Sequence, residues 1–530
     1  MSYTVNHSRL AVVEPKLRDL LPADLYATMW VDPTSANLTR VFEHLRTLQR
    51  ILQDYLPRQV TENPPEPGEV RYEWQEGALM FTDLAGFTKL MEANAARGRE
   101  GAEALLKVFN SYFASMIEII SKAGGNLLEF TGDAMLVQFP ADQRGQHTAQ
   151  AVRAGLRMQR AMNKFADIET SQGPVSLGMR LGIHTGRFLT ADIGTPRRME
   201  HVLLGRAVLQ TKHAEAAGQV GRVCLTEKAI AEVKGLFNFE AGQPGFAFIM
   251  DNLTTQQLGE YDLAAFTRRP ASTLLLDRSE DGLVEEIAKA VESVEPLACY
   301  IPEPVRDLLV ESAWRRRISP EFVEPTVMFV NLLGLTEALE HAQADELPKL
   351  VETFSRALAA IDAAVAIRGG VLKKVTYQLV GSDMMIYFGV PNAHTNDPAR
   401  AASAALAVRD IITSLKPPAI GGQPVNLRCQ IGLSSGPVFA AEIGEPRGRR
   451  EFNIMSDTVN TTARLAARAT DNQILLTESV HQHLGERFIC EPLGPVSLKG
   501  RQAPVPIYAL TGKPASPQLS QSDPRTMRGQ

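Results

Sequence analysis

The 530 residues carry 55 Lys and Arg against 60 Asp and Glu, a formal net charge of −5, with 44% hydrophobic and 22% charged residues. This near-balance excludes a nucleic-acid binder that works through a broad basic surface. Four scattered cysteines, Cys224, Cys299, Cys429 and Cys490, exclude a disulfide scaffold and a cysteine zinc site.

Residues 1–74 read as an N-terminal helical segment. Residues 1–30 lack the basic-then-apolar layout of a signal peptide, and no uninterrupted apolar run in the chain approaches the ~20 residues of a membrane span. No membrane span and a cytoplasmic location are therefore expected. Leu38, Val41, Phe42, Leu45, Leu48, Leu52 and Leu56 share one helical stripe before the breaker NPPEPG at 63–68. That stripe reads either as a cap on the adjacent domain or as a separate partner-binding helix.

A first unit covers 75–235. An apolar strand from Ala78 to Phe81 runs into a glycine turn and one long amphipathic helix through Leu90, Leu105, Phe109, Phe113 and Ile119. Two short strands flank Gly132 and Asp133, an alanine-rich helix spans 147–165, and a strand follows at 178–186. Residues 236–322 form a helical connector with Leu283, Ile287, Val291 and Val294 on one face, the breaker YIPEP at 300–304, and a second helix ending in Arg315, Arg316 and Arg317. The second unit, 323–512, repeats the first. FTDLAGFT (81–88) recurs as FVNLLGLT (329–336), and Gly132 recurs as Gly381 in the next hairpin. LGIHTG (181–186) recurs as IGLSSG (431–436), and HVLLGRAV (201–208) as NIMSDTVN (453–460). Four landmarks in one order at a nearly constant offset mark a duplicated domain. The β-α-β-β-α-β order predicts an α+β fold, two ferredoxin-like domains with helices on one sheet face. The polar tail, 513–530, is expected to be disordered.

Asp83 at the end of the first strand and Asp133 in the hairpin turn can point at one spot on the sheet rim. Paired hard oxygen ligands suit Mg²⁺ or Mn²⁺, and two such ions can clamp an attacking oxygen and a triphosphate. Gly86, Phe87 and Thr88 open a helix whose free N–H groups form an anion site.

These motifs resemble the class III nucleotide cyclases, and the tandem arrangement is similar to that of the soluble adenylyl cyclases. The resemblance implies an intramolecular pseudo-heterodimer, sufficient as a monomer. Asp83 and Asp133 would be the metal ligands for two divalent cations, Mg²⁺ or Mn²⁺. Asn331 and Ser382 stand at the matching positions of the second unit, which would therefore hold no metal. In EFNIMSDTVNTTAR (451–464), Asn460 and Arg464 match the family's transition-state pair, four residues apart on one helix face; the first unit has Leu209 and His213 there. Lys374 matches the lysine that reads adenine N1. Asn453 replaces the Asp or Thr that accepts from the adenine amine, and an amide can also turn to donate to guanine O6. Lys499, in the SLKG segment, and Lys373 each read either as a contact to the triphosphate or as a solvated surface charge, and His184 reads as a structural histidine.

The implied reaction converts ATP to 3′,5′-cyclic AMP and pyrophosphate at one composite site. The alternatives are a catalytically inactive tandem pseudo-cyclase that acts as a regulatory nucleotide-binding module, or a guanylate cyclase. In soluble adenylyl cyclases the second, degenerate site binds bicarbonate with a Lys and an Arg. Glu129 and Lys212 occupy those positions, and the expectation is that they pair across the cleft in place of the anion. The activating signal is not legible.

Overall fold

The computed structural model describes residues 2–259, 277, 279–377, 382–417, 419–445, 448–498 and 503–514. Gly381, Lys499 and the tail from 515 lie outside the described residues. Four helices open the chain: α1 (Ser2–Leu20), α2 (Ala23–Val31), α3 (Ser35–Tyr55) and the short α4 (Arg58–Glu62). The first domain runs β1 (Arg71–Ala85), α5 (Phe87–Ala95), α6 (Gly98–Lys122), β2 (Asn126–Thr131), β3 (Ala134–Pro140), α7 (His147–Ala161), β4 (Gly178–Thr195), β5 (Arg198–Leu204), α8 (Arg206–Ala216), β6 (Val223–Thr226), α9 (Glu227–Glu232), β7 (Phe239–Ala241) and β8 (Phe246–Ile249). Helices α10 (Glu280–Ala298) and α11 (Glu303–Ser312) lie in the connector. The second domain comprises β9 (Glu321–Val323), β10 (Thr326–Leu333), α12 (Leu335–His341), α13 (Leu347–Ala366), β11 (Val371–Tyr377), β12 (Ser382–Phe388), α14 (Asp397–Ser414), β13 (Ala419–Ile420), β14 (Gln423–Pro424), β15 (Arg428–Ser435), β16 (Val438–Gly444), β17 (Arg450–Met455), α15 (Asp457–Arg468), β18 (Gln473–Thr477), α16 (Glu478–His481), β19 (Ile489–Val496) and β20 (Val505–Gly512).

The two main sheets have one topology. The first is ordered β2-β3-β1-β4-β6-β8-β7 and the second β11-β12-β10-β15-β18-β20-β19. In each, the four leading strands are the antiparallel ferredoxin-like core, and a parallel neighbour extends it. β1 lies between β3 and β4, so its C-terminal end and the β2–β3 turn share one rim.

Two boundaries differ from the sequence reading. The long helix of the first domain is two, broken at Arg97 and Gly98, where Gly98 adopts φ +55. The first sheet continues past residue 235 through β7 and β8 to Ile249; those strands are too short to show a period of two. Helix α6 is long and apolar enough to cross a membrane by length and composition, yet Leu105, Phe109, Phe113 and Met116 along it are fully buried in the first domain.

The duplication also reaches further back than the cyclase-like units. Helix α3 ends in Tyr55-Leu56-Pro57 with Val60 beyond it, and α10 leads into Tyr300-Ile301-Pro302 with Val305 beyond. All eight residues except Pro302 are buried apolar or aromatic groups. The stripe Leu38, Val41, Leu45, Leu48 and Leu52 packs with Leu283, Ile287, Val291 and Val294 of α10 and with Val327, Phe452 and Ile454 of the second domain in one core. Burying an amphipathic stripe is what holds such a helix in place, so α3 serves as a cap.

Candidate active site between the two domains

Each side of the site is placed by a local backbone feature. Gly86 closes β1 at φ +93, where an added Cβ would lie 2.4 Å from the Ser176 carbonyl oxygen, so only glycine makes this turn without strain. The turn starts α5 with Phe87 and Thr88 in its first turn. Asp133 follows Gly132 (φ +67) in the two-residue connection between β2 and β3. Across the interface, Ser456 accepts from Val459 N at 3.2 Å and caps α15, setting the entry of the helix that carries Asn460 and Arg464.

A cleft between the domains brings some of these parts together, while Asp83, Gly86 and Thr88 lie outside its lining. Phe87, Gly132 and Asp133 of the first domain face Lys374, Ser456 and Asn460 of the second. Asp83 stands opposite Arg180 in the β1–β4 ladder, and the Arg180 guanidinium donates to its carboxylate. Arg180 Nε is 3.0 Å from Glu215. Burial, and then the charge of Asp83, pushes the Asp133 carboxyl well above the usual carboxylate range. The desolvated Asp133 carboxyl, repelled by the partly exposed Asp83 carboxylate, makes with it a pair of oxygen donors that a hard divalent cation would relieve, so the residues fit one where it takes Asp83 from Arg180. Arg180 went unread in the sequence, although a lone arginine in the apolar run LGMRLG was a visible signal.

Arg464 is one turn beyond Asn460 and outside the cavity wall; its Nη1 is buried without a hydrogen-bond partner. Lys374 donates to the Phe130 carbonyl oxygen of the first domain and lies 3.1 Å from Glu451. Lys373 is only 6% exposed, so it is not a solvated surface charge. A β-bulge in β11 explains this: the ladder skips from Leu372 to Lys374, which turns two consecutive lysines toward one carboxylate. Burial lowers the Lys373 ammonium to about 8. Asn453 is fully buried, and its Oδ1 accepts from Lys373 Nζ at 2.8 Å and Ile454 N at 3.0 Å. Its Nδ2 donates to Gly132 O at 3.3 Å. Both acceptor lone pairs are thus engaged, and Asn453 braces the turn that carries Asp133. His184 is buried against Thr226 Oγ1 at 2.8 Å, and burial lowers it to about 4.

Residues 70–248 and 319–512 match the family described as the adenylate and guanylate cyclase catalytic domain. The chain belongs to the class III nucleotide cyclases. It is 21% identical to mouse adenylate cyclase type 10 over 406 residues, 74% of this chain and 23% of that protein. It is 30% identical to an adenylate cyclase of Mycobacterium bovis over 235 residues, 44% of this chain and 48% of that one. The chain therefore spans less than half the length of these relatives. Over 84% of its length and 93% of the other's, it shares its fold with a class III adenylyl cyclase-like ATP-binding protein from Pseudomonas aeruginosa, at 14% identity and a TM-score of 0.54.

The second cleft of this tandem cyclase is built differently from the sequence expectation. Asn331, at the position of Asp83, is buried and donates to Gln430 Oε1 at 2.8 Å. Ser382 begins β12, and Leu209 packs against the hydrophobic core. Among the described residues Glu129 makes no direct ion pair with Lys212, although its charge is the largest acting on that buried ammonium. Its carboxylate accepts from Thr131 Oγ1 at 2.8 Å and lies 3.8 Å from Lys374 across the interface. β2 bulges between Leu127 and Glu129 as β11 does between Leu372 and Lys374, which makes Glu129 and Lys374 equivalents that face each other. Lys212 is buried with Nζ 4.6 Å from the Phe81 ring centroid. Burial raises Asp383 to about 8 against the pull of Lys212.

Proposed function

We propose that this chain is an adenylate cyclase that converts ATP to 3′,5′-cyclic AMP and pyrophosphate at the composite cavity that Asp133 and Asn460 share. The observation that carries the reading is one cavity wall in which Asp133 and Phe87 of the first domain meet Asn460 and Lys374 of the second. Neither domain has both halves. The relatives named adenylate cyclase support the choice of a cyclase reaction.

Asp83 and Asp133 would hold two divalent cations, Mg²⁺ or Mn²⁺, which when bound supply Lewis acidity to the ribose 3′-hydroxyl and the triphosphate. Every other contribution comes from side chains and backbone. The N–H groups at Gly86, Phe87 and Thr88 receive phosphate oxygens at the start of α5. Asn460 orients the ribose. Arg464, with Nη1 uncommitted, offers a planar cation to the charge that builds on the α-phosphate. Lys374 leaves Glu451 and Phe130 O to meet adenine N1. His184, neutral and spent on Thr226, takes no part. Because one chain supplies both halves, a monomer suffices.

The test is product formation from ATP and, separately, GTP in Mg²⁺ or Mn²⁺, for the wild type beside Asp133→Asn and Asn460→Ala. Cyclic AMP from the wild type and a loss of about 100-fold or more in both variants is expected, since the two substitutions lie in different domains. ATP binding with no product would move the reading to a regulatory pseudo-cyclase. A dominant cyclic GMP product would make the enzyme a guanylate cyclase.

A further inference from the structure

Two arginines repeat one set of contacts on opposite sides of the interface. Arg198, at the start of β5, donates through Nη1 to the carbonyl oxygens of Met199 and Tyr300, the latter at 3.0 Å, and through Nη2 to Lys373 O at 3.1 Å. Arg449, just before β17, donates through Nη1 to the carbonyl oxygens of Arg450, at 3.4 Å, and Tyr55, and through Nη2 to Leu128 O at 3.1 Å. Each therefore grips the residue after itself, the tyrosine that follows a flanking helix, and a residue of the other domain's hairpin.

The hairpin residues are equivalent as well. Leu128 and Lys373 are the residues their ladders skip, so a bulge leaves each carbonyl free for an outside donor. Arg198 belongs to the first domain but holds Tyr300 and β11, which go with the second. Arg449 belongs to the second but holds Tyr55 and β2, which go with the first. The tyrosines are fixed in turn: Tyr300 Oη donates to Asp192 at 2.9 Å and Tyr55 Oη to Glu442 at 2.8 Å, acids at matching places on β4 and β16. Helices α3 and α10, which carry the tyrosines at their ends, pack on each other in one core.

We propose that Arg198 and Arg449 are positioning residues that couple the α3–α10 helix pair to the two halves of the active site. Arg198 sets the strand that presents Lys374, and Arg449 sets the hairpin that ends in Asp133. The assignment of roles to those halves rests on the adenylate cyclase reading. Only a guanidinium has donors spread widely enough for three carbonyls at once; a lysine in either place keeps the charge and loses the fork.

The experiment compares Arg198→Lys, Arg449→Lys and the uncharged Arg449→Gln with the wild type, after thermal melts that establish folding. Arg198→Lys is expected to raise the KM for ATP about tenfold with kcat little changed, and Arg449→Lys to lower kcat about tenfold with KM little changed. Amide hydrogen exchange supplies a readout that needs no turnover. In Arg198→Lys, exchange should rise across 371–377 and 300–305 and stay constant across 126–131; Arg449→Lys and Arg449→Gln should do the reverse, with a rise across 126–131 and 55–60. Equal changes in both hairpins for every variant, or none in either, would overturn the coupling. A wild type that makes no cyclic nucleotide would instead sink the cyclase reading, while the exchange pattern still decides the clasps.

Discussion

Glu451 is the shared counter-charge of two adjacent lysines, and its removal has a calculable cost. The carboxylate is paired with Lys373 and lies 3.1 Å from Lys374, at 15% side-chain exposure. Burial alone would raise its carboxyl, but Lys373, Lys374 and Arg449 outweigh it and hold it at about 2. Against an ordinary value of 4.5, that preference for the ionised form amounts to about 3 kcal/mol of folding stability at pH 7. Glu451→Gln should lose that amount, read as a lower urea midpoint with an unchanged slope. Because the folded-state value is depressed, the contribution is fully present above about pH 4.5 and fades only as the pH falls toward 2. The Glu451 contribution in the wild type should therefore be constant from pH 5 to 7. Adding Lys373→Met should recover about 1 kcal/mol or more, since an ammonium no longer stays buried without its partner. A loss below about 1 kcal/mol, or a double variant no more stable than the single one, would refute the assignment of Glu451 as the anchor of both lysines.

Glu129→Lys places an ammonium near Lys374, where a carboxylate now lies at 3.8 Å; activity should fall about tenfold, and addition of bicarbonate should not restore it. A bicarbonate-dependent rise would show that the second cleft still accepts an anion. Gly86→Ala and Gly334→Ala make a matched pair, at φ +93 and +94 with carbonyl oxygens 2.4 and 2.3 Å from the added Cβ. Both should lose about 1–3 kcal/mol of stability, whereas only Gly86→Ala should lower kcat/KM per folded molecule. Equal kinetic effects would remove the α5 turn from the site.

Much of this protein was legible in order and spacing. Repeated landmarks disclose a duplicated domain because both copies keep the same turns, and a positive-φ glycine such as Gly86 or Gly334 tolerates little substitution. The complementary decay of the copies is equally plain, since Asp83 against Asn331 is a change of charge at an aligned position. Some features were present but too weak to read: the Tyr-Leu-Pro and Tyr-Ile-Pro ends of α3 and α10 are three residues long, and β7 and β8 are shorter than any useful period.

Other features belong to tertiary structure alone. A β-bulge shifts register by one residue and so reverses which side chains are buried. It buries Lys373, sets Glu129 against Lys374 rather than Lys212, and leaves the Leu128 and Lys373 carbonyls to arginines of the opposite domain. Neighbours in the chain determine local turns and helices. Partners 175 to 321 residues apart meet only when the two sheets dock, and the charge each one faces is decided at that contact.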